Sequence, residues 1–439
     1  MLRARWLPRS LALSAVLTLL VHTTANAHAM LLSSEPAAGS ILAASPSRIR
    51  LLFSEAIEPS LSAIAIVGGD GRTTPLPVGG DPHDVHALVA PLSTLSALAP
   101  GEYRVAWHVV SADGHPVGGS YLFSVGHGGA PPPEAVANPA TTWGPTFVGA
   151  PLVPALLRGL GVGAIAAAAG LLFFIVWLGA GLGTRPARLA LWLAVAAPLL
   201  LGAHFGAWLL NASPDHRVDA AWLSTAVESA VGRAELWRTL LAIPPLWALA
   251  LARRPGLALG LAMLPLLASA AVGHSAAVHP MLAVPSKALH LAAMAAWIGG
   301  LLWLVARERT DAGTFAVEAS RVSTVALTAV VVVTLSGVAQ TLLLVPLHDL
   351  VSAYGTIVAA KVAGLGVLVA FGAHHRYRML PRITLSPDAP HPTDAFRASL
   401  AREIAIVGLV VLLGGLLAYV SPPAVAGEPR PPVTPESPQ

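Results

Sequence analysis

Short apolar runs fill the first third of this chain and long ones fill the rest. Between residues 28 and 125 the runs are brief and rich in strand formers: Ile49-Arg50-Leu51-Leu52-Phe53, Ala63-Ile64-Ala65-Ile66-Val67 and Tyr103-Arg104-Val105-Ala106-Trp107. Turn signals part them, namely Gly68-Gly69-Asp70-Gly71, Val78-Gly79-Gly80-Asp81-Pro82 and Pro100-Gly101-Glu102. Several short strands in such a stretch predict an all-β antiparallel sandwich. From about residue 150 the runs lengthen to near the ~20 residues that cross a bilayer. Eight spans are predicted, at roughly 155–180, 188–210, 236–252, 256–277, 286–306, 322–345, 354–373 and 403–420, giving an all-α eight-span helix bundle. The third is short and carries Pro244-Pro245.

The chain's ends and its junction follow other patterns. Arg3, Arg5 and Arg9 precede an apolar run from Leu11 to Val21, and Ala25-Asn26-Ala27 forms a small-residue cleavage site. The expected division is a signal peptide at 1–27, the sandwich at 28–125, a Pro/Gly-rich linker at 126–147, the membrane domain at 148–421 and a Pro-rich outer tail at 422–439.

Charge placement orients the spans. With the sandwich outside, the odd-numbered connections face the cytoplasm and should collect positive charge. They hold Arg185 and Arg188; Arg253 and Arg254; Arg307, Arg309 and Arg321; and Arg376, Arg378, Arg382, Arg397 and Arg402. The outward connections hold only Arg217, Arg233, Arg238 and Lys287. This asymmetry predicts eight spans with both mature ends outside. Charged residues make up 11% of the chain and hydrophobic ones 55%, far from a soluble composition. With no cysteine, disulfides and thiolate metal sites are excluded. No basic run interleaves with aromatics, so nucleic acid is not an expected partner. No phosphate-binding GxxxxGK[ST] loop occurs either, which argues against direct ATP drive.

Candidate chemistry begins at His28. Cleavage after Ala27 would leave it first, able to chelate a metal through both its α-amine and its imidazole. Downstream lies Ser111-Ala112-Asp113-Gly114-His115-Pro116. By itself this segment reads as a turn, since Asp-Gly is a common turn pair. In an extended backbone, however, Asp113 and His115 would share a face. Joined with His28 they would supply three nitrogens and one carboxylate oxygen, a donor set suited to Cu(II). An α-amine titrates near pH 8 and can lose its proton to a metal at neutral pH. His83, His86, His108 and His127 lie outside this motif and read as surface or packing residues.

These residues resemble the CopC family of periplasmic copper-binding sandwiches. The resemblance rests on His28-Ala29-Met30-Leu31-Leu32-Ser33-Ser34-Glu35-Pro36 and Val109-Val110-Ser111-Ala112-Asp113-Gly114-His115-Pro116-Val117, and covers 28–125. It implies a Greek-key sandwich in which His28, Asp113 and His115 bind Cu(II) as a histidine brace. Many relatives carry a second histidine where this chain has Met30. That is the domain's only methionine, so a separate Cu(I) site is not expected.

Within the spans, His204, His274, His279 and His290 all fall toward the side carrying the sandwich, and intramembrane ionisable groups usually mark a pathway or a pair. Met294 follows His290 by one helical turn, and Met263 precedes His274 by about three. Imidazole and thioether ligands together would suit copper, thioether favouring Cu(I). Lone histidines at span ends also sit in the interfacial region, and methionines in apolar helices usually pack. Lys361, two turns into the seventh span, could gate a cation. The span region resembles the CopD family over about 155–420, through Gly273-His274-Ser275, His290 with Trp297-Ile298-Gly299-Gly300, Ser336-Gly337, and Tyr354-Gly355 leading to Lys361. His374-His375-Arg376 departs from the expected Asn-Arg and receives no role.

A fusion of these two families implies copper capture outside and copper passage, inward, through a His/Met-lined domain, with no enzymatic step. Its partners would be the copper ion, the lipid bilayer and a periplasmic or cytoplasmic copper chaperone. Two other readings stay open: a membrane redox protein using haem held by paired histidines or using copper, and copper sequestration for tolerance without transport.

Overall fold

The computed structural model describes residues 29–93, 95–126, 152–273, 280–308, 310–345, 352–385 and 392–420. The predicted signal segment with His28, most of the predicted linker, His127, His274, His279 and the predicted outer tail lie outside the described residues. The chain divides into two units, each considered by itself: the described residues 29–126 with 211–229, and 152–210 with 230–420.

The first unit is a pair of sheets. β1 (Leu31–Glu35), β3 (Arg48–Phe53), β7 (Asp84–Pro91) and β6 (Gly79–Asp81) form one, in the order β1-β3-β7-β6. β2 (Ile41–Leu42), β9 (Pro116–Val125), β8 (Gly101–Val110), β4 (Ala63–Val67) and β5 (Thr73–Leu76) form the other, in the order β2-β9-β8-β4-β5. Alternation in β3 turns Ile49, Leu51 and Phe53 inward and leaves Arg48 and Arg50 outward. They meet Val105, Trp107, Tyr121 and Phe123 in one core, with Phe53 edge-on to Trp107 at 5.2 Å.

The strands pair antiparallel with one exception, which corrects the purely antiparallel expectation: β2 runs parallel to β9. The cause is the crossing from β1, which turns at Gly39 (φ +76°) where Gly39 N–H donates to the Leu122 carbonyl. That turn lays two residues along the edge of β9 and covers its unpaired groups.

β8 and β9 form a hairpin in continuous register from Gly101–Val125 to Val110–Pro116. β8 is buried on both faces over Val105–Val110. Residues 211–229 belong to this unit and meet β8 at His108. His108 Nε2 donates to the Ala212 carbonyl at 3.0 Å, and α3 (Ala220–Glu228) packs on the 3-10 turn Pro59–Leu61. Burial holds the His108 imidazole far below its ordinary range, at about 4, although the carbonyl favours the charged form.

The second unit is helical: α1 (Leu152–Trp177), α2 (Arg185–Ala212, its first 26 residues in this unit), α4 (Ala230–Leu240), α5 (Ile243–Ala250), α6 (Pro255–Ala270), α7 (Pro280–Ala306), α8 (Ala312–Leu344), α9 (Ala353–His374), α10 (Leu380–Leu385) and α11 (Pro392–Leu417). A π turn at His375–Met379 joins α9 to α10. Among the described residues six helices are long and apolar enough to cross a membrane: α1, α2, α7, α8, α9 with α10, and α11.

The predicted third and fourth spans take another form. The third is two helices, α4 and α5, broken at Leu241–Ala242. Pro244 and Pro245 lack the N–H that a continuing helix would need, and they fall in the first turn of a new one. The fourth is the shorter α6, which ends before Gly273 turns at φ +93°. Arg238, counted above with an outward connection, is fully buried within α4.

α1 lies against α6, α7 and α11. Small residues allow these approaches. A Cβ at Gly170 would collide with the Ala295 carbonyl of α7 and lie 2.8 Å from Gly299 Cα, and one at Gly415 of α11 would lie 2.8 Å from Gly159 Cα. Where lipid is as apolar as leucine, close backbone packing of this kind replaces the hydrophobic drive between helices.

Candidate metal centre

Ser111–His115 is the loop of the β8–β9 hairpin, so the paired strands aim Asp113 and His115 from one end of the sheet. The segment is the turn that its Asp-Gly pair signals: Gly114 N–H donates to the Ser111 carbonyl at 2.8 Å, and Gly114 adopts φ +96°, which a residue without Cβ reaches freely. The turn still brings the two side chains together. His115 Nδ1 lies 2.9 Å from Asp113 Oδ1, and both residues are buried. Ser111 Oγ donates to the same carboxylate oxygen, and the His115 N–H approaches it at 3.3 Å. The carboxylate stands beside Nδ1, and a carboxylate so placed is one that can orient a histidine for metal binding through Nε2.

The segment after β3 links this loop to the start of the described chain. Ser54 N–H donates to the Met30 carbonyl at 2.9 Å, and Met30 N–H donates to Ser54 Oγ at 2.9 Å. Two residues on, the Ala56 carbonyl accepts from Ala112 N–H at 2.8 Å, and Ile57 bridges Ser111. Ala29 is buried in the sandwich core. The backbone two residues beyond His28 is thus tied to the same short segment as the Asp113 loop. Glu55, buried between Ser54 and Ala56, is a carboxylate the sequence reading passed over. Among the described residues no three His, Asp or Glu side chains gather to hold a metal. Met30 is exposed, His83 is exposed, and His86 pairs with Asp84 at 3.2 Å.

In the helical unit the predicted residues separate. His290 Nδ1 lies 3.0 Å from Ser336 Oγ, which donates its one proton to the Val332 carbonyl at 2.6 Å. The serine therefore accepts from Nδ1–H, and the His290 Nε2 lone pair is left available. The position a Cβ would take at Gly337 is 3.8 Å from His290 Cε1, so two of the quoted motifs meet. Met294 and Met263 pack with the apolar cluster. Lys361 is half-buried on α9, beside Gly414.

His204 has different neighbours. Its Nδ1 lies 2.9 Å from an Arg238 guanidinium nitrogen, and its Nε2 2.6 Å from Tyr419 Oη. Nδ1 also lies 3.4 Å from Glu235 Oε2, so the ring faces the arginine–carboxylate pair on one side and the phenol on the other. Arg238 also pairs with Glu235, and Arg158 approaches Glu235 at 3.7 Å. The sequence reading missed this group. Its signal was three charges, Arg158, Glu235 and Arg238, in otherwise apolar stretches, two of them at i,i+3. His375, left without a role, sits 2.8 Å from Ser399 Oγ and 3.1 Å from Glu403.

Residues 31–126 match the CopC domain family, and residues 316–417 match the family of Copper resistance protein D, or CopD. The chain joins a CopC domain to a CopD domain. By its first domain it belongs to the CopC family: Protein YobA of Escherichia coli K12 is 41% identical over 115 residues, which are 26% of this chain and 91% of YobA. Copper transport protein CutJ of Bacillus subtilis is 27% identical over 381 residues, covering 80% of this chain and 68% of CutJ. The crystal structure of CopC from Methylosinus trichosporium OB3b has 33% identity and a TM-score of 0.21, covering 23% of this chain and 98% of that one.

CopC and CopD are copper resistance and transport families rather than enzyme families, and the CopC family binds copper. This CopC–CopD chain is accordingly a multi-pass membrane protein of copper resistance or transport.

Proposed function

We propose that this CopC–CopD chain captures Cu(II) outside the bacterial cytoplasmic membrane and passes copper inward. In the sandwich, His28 would supply its α-amine and imidazole, His115 its Nε2, and Asp113 a carboxylate oxygen. Copper is cargo here, and the donor set fits it: nitrogen-rich, one hard oxygen, no thiolate. The observation that carries the reading is the Asp113–His115 pair, buried and 2.9 Å apart on a hairpin loop tied through Ser54–Ile57 to the start of the described chain.

For passage, His274, His279, His290 and Met294 are the proposed stations, with Lys361 as a gate. His290 is the best prepared, because Ser336 occupies its other ring nitrogen. His204 belongs to the same set by sequence, but both its nitrogens are engaged, so it would serve by holding its neighbours until those bonds open. The arginine asymmetry supports eight crossings, with the broken α4–α5 pair and α6 as the two that fall short of full spans. Residues 211–229 count with the sandwich, as an outward second connection requires. The proposed boundaries remain a signal peptide at 1–27, a linker at 126–147 and an outer tail at 422–439.

A tolerance role, in which captured copper is held rather than imported, is favoured by the name of the second matched family, Copper resistance protein D. Copper accumulation separates the two in cells carrying the natural chain, His28→Ala or His290→Ala. Import predicts lower intracellular copper in both variants. Unchanged accumulation in both sinks the relay, and higher accumulation supports tolerance.

A further inference from the structure

The helical unit buries more positive than negative charge at one place. Arg158 of α1, Glu235 and Arg238 of α4 and His204 of α2 are all buried, with Tyr419 just after α11 and Lys287 of α7 beside them. Glu235 is shared by both arginines. A guanidinium does not lose its proton in a protein, so two arginines and one carboxylate leave one positive charge uncompensated before Lys287 is counted. Lys287 Nζ donates to the Val272 carbonyl at 2.6 Å, a neutral partner.

The Arg158 and Lys287 heads converge. The Cβ position at Gly273 would lie 3.4 Å from Arg158 Nη2 and 3.9 Å from Lys287 Nζ. Arg238 Nε and Nη1 reach no solvent and have no hydrogen-bond partner among the described residues. Residues 274–279, next in sequence to Gly273, contain no acidic side chain.

Buried donors with an unbalanced charge are strongly destabilising unless a counter-charge arrives. We infer that Arg158, Arg238 and Lys287 form a binding site for one small monovalent anion, chloride or a carboxylate of similar size. Arg238 Nε and Nη1 are its donors, and Glu235 sets the limit at a single negative charge. Such a site uses donors opposite in character to those of the copper stations, and it touches them only through His204, whose Nδ1 meets Arg238.

The test uses the full chain in detergent, with radiochloride equilibrium binding and thermal unfolding in chloride against gluconate at fixed ionic strength. Saturable uptake, displaced by formate and not by gluconate, is expected, together with a higher unfolding midpoint in chloride. Arg238→Gln should weaken uptake by about tenfold or more. Should that variant fail to fold, Lys287→Met provides the same readout, and the natural chain alone remains decisive. Absence of saturable uptake by the natural chain overturns the inference. So does tyrosinate absorbance at neutral pH that vanishes in Tyr419→Phe, because the phenolate would then be the counter-charge.

Discussion

The two units solve the burial of polar groups in opposite ways. In the sandwich, polar side chains of the candidate site pair within a five-residue loop, Ser111 and His115 both on Asp113, beneath a core of large apolar side chains. In the helical unit the polar groups around His204 come from α1, α2, α4 and the residues just after α11, and His204 is 34 residues from Arg238 and 215 from Tyr419 in sequence. Packing there rests on the absence of side chains, at Gly170 against Gly299 and Gly159 against Gly415. The difference follows from solvent. Water drives large side chains into the sandwich core, while lipid leaves only close approach and polar pairing to hold helices together.

The sharpest break of this comparison is Gly170→Val. A branched side chain at a backbone-to-backbone contact should destabilise the helical unit by about 3 kcal/mol or more. Unfolding in detergent would record it, and Cu(II) binding by the sandwich should survive. An unchanged unfolding midpoint would mean that α1 and α7 are not closely packed.

Next comes pH. His108 in the folded unit binds its proton only at about 4, against 6.5 as its ordinary value, so the unfolded chain takes up a proton first as pH falls. The stabilisation is complete above about 6.5 and lost between there and 4, to the extent of about 3 kcal/mol. Burial is the main cause, and His216 pushes the same way. Trp107 fluorescence should report a sandwich that weakens over this range and a flatter profile in His108→Leu.

Asp113→Ala tests the loop itself, with Cu(II) affinity expected to fall by about 100-fold, roughly 2.7 kcal/mol. A chain that keeps its first 27 residues should lose affinity similarly, because His28 would have no free amine; equal affinity in that chain would remove the brace. The smallest effect is expected at Arg48, whose 3.3 Å pair with Glu35 is exposed. Arg48→Ala should shift sandwich stability by no more than about 0.5 kcal/mol.

The sequence by itself determined the two-part organisation, because the length of an apolar run is a local property: about five residues for a strand, twenty for a span. It also determined the Asp113–His115 pair, since a spacing of two keeps both groups on one loop whether the backbone is extended or turned. It could not determine that β2 would join β9 in parallel, because that depends on where the chain goes after Gly39. The tertiary structure alone decided how His204 and His290 differ. Both are histidines in apolar segments, but one meets Arg238 and Tyr419 and the other meets Ser336. Those neighbours lie up to 215 residues away in sequence. Only packing brings them within hydrogen-bonding reach, and that reach decides which ring nitrogen is left for a metal.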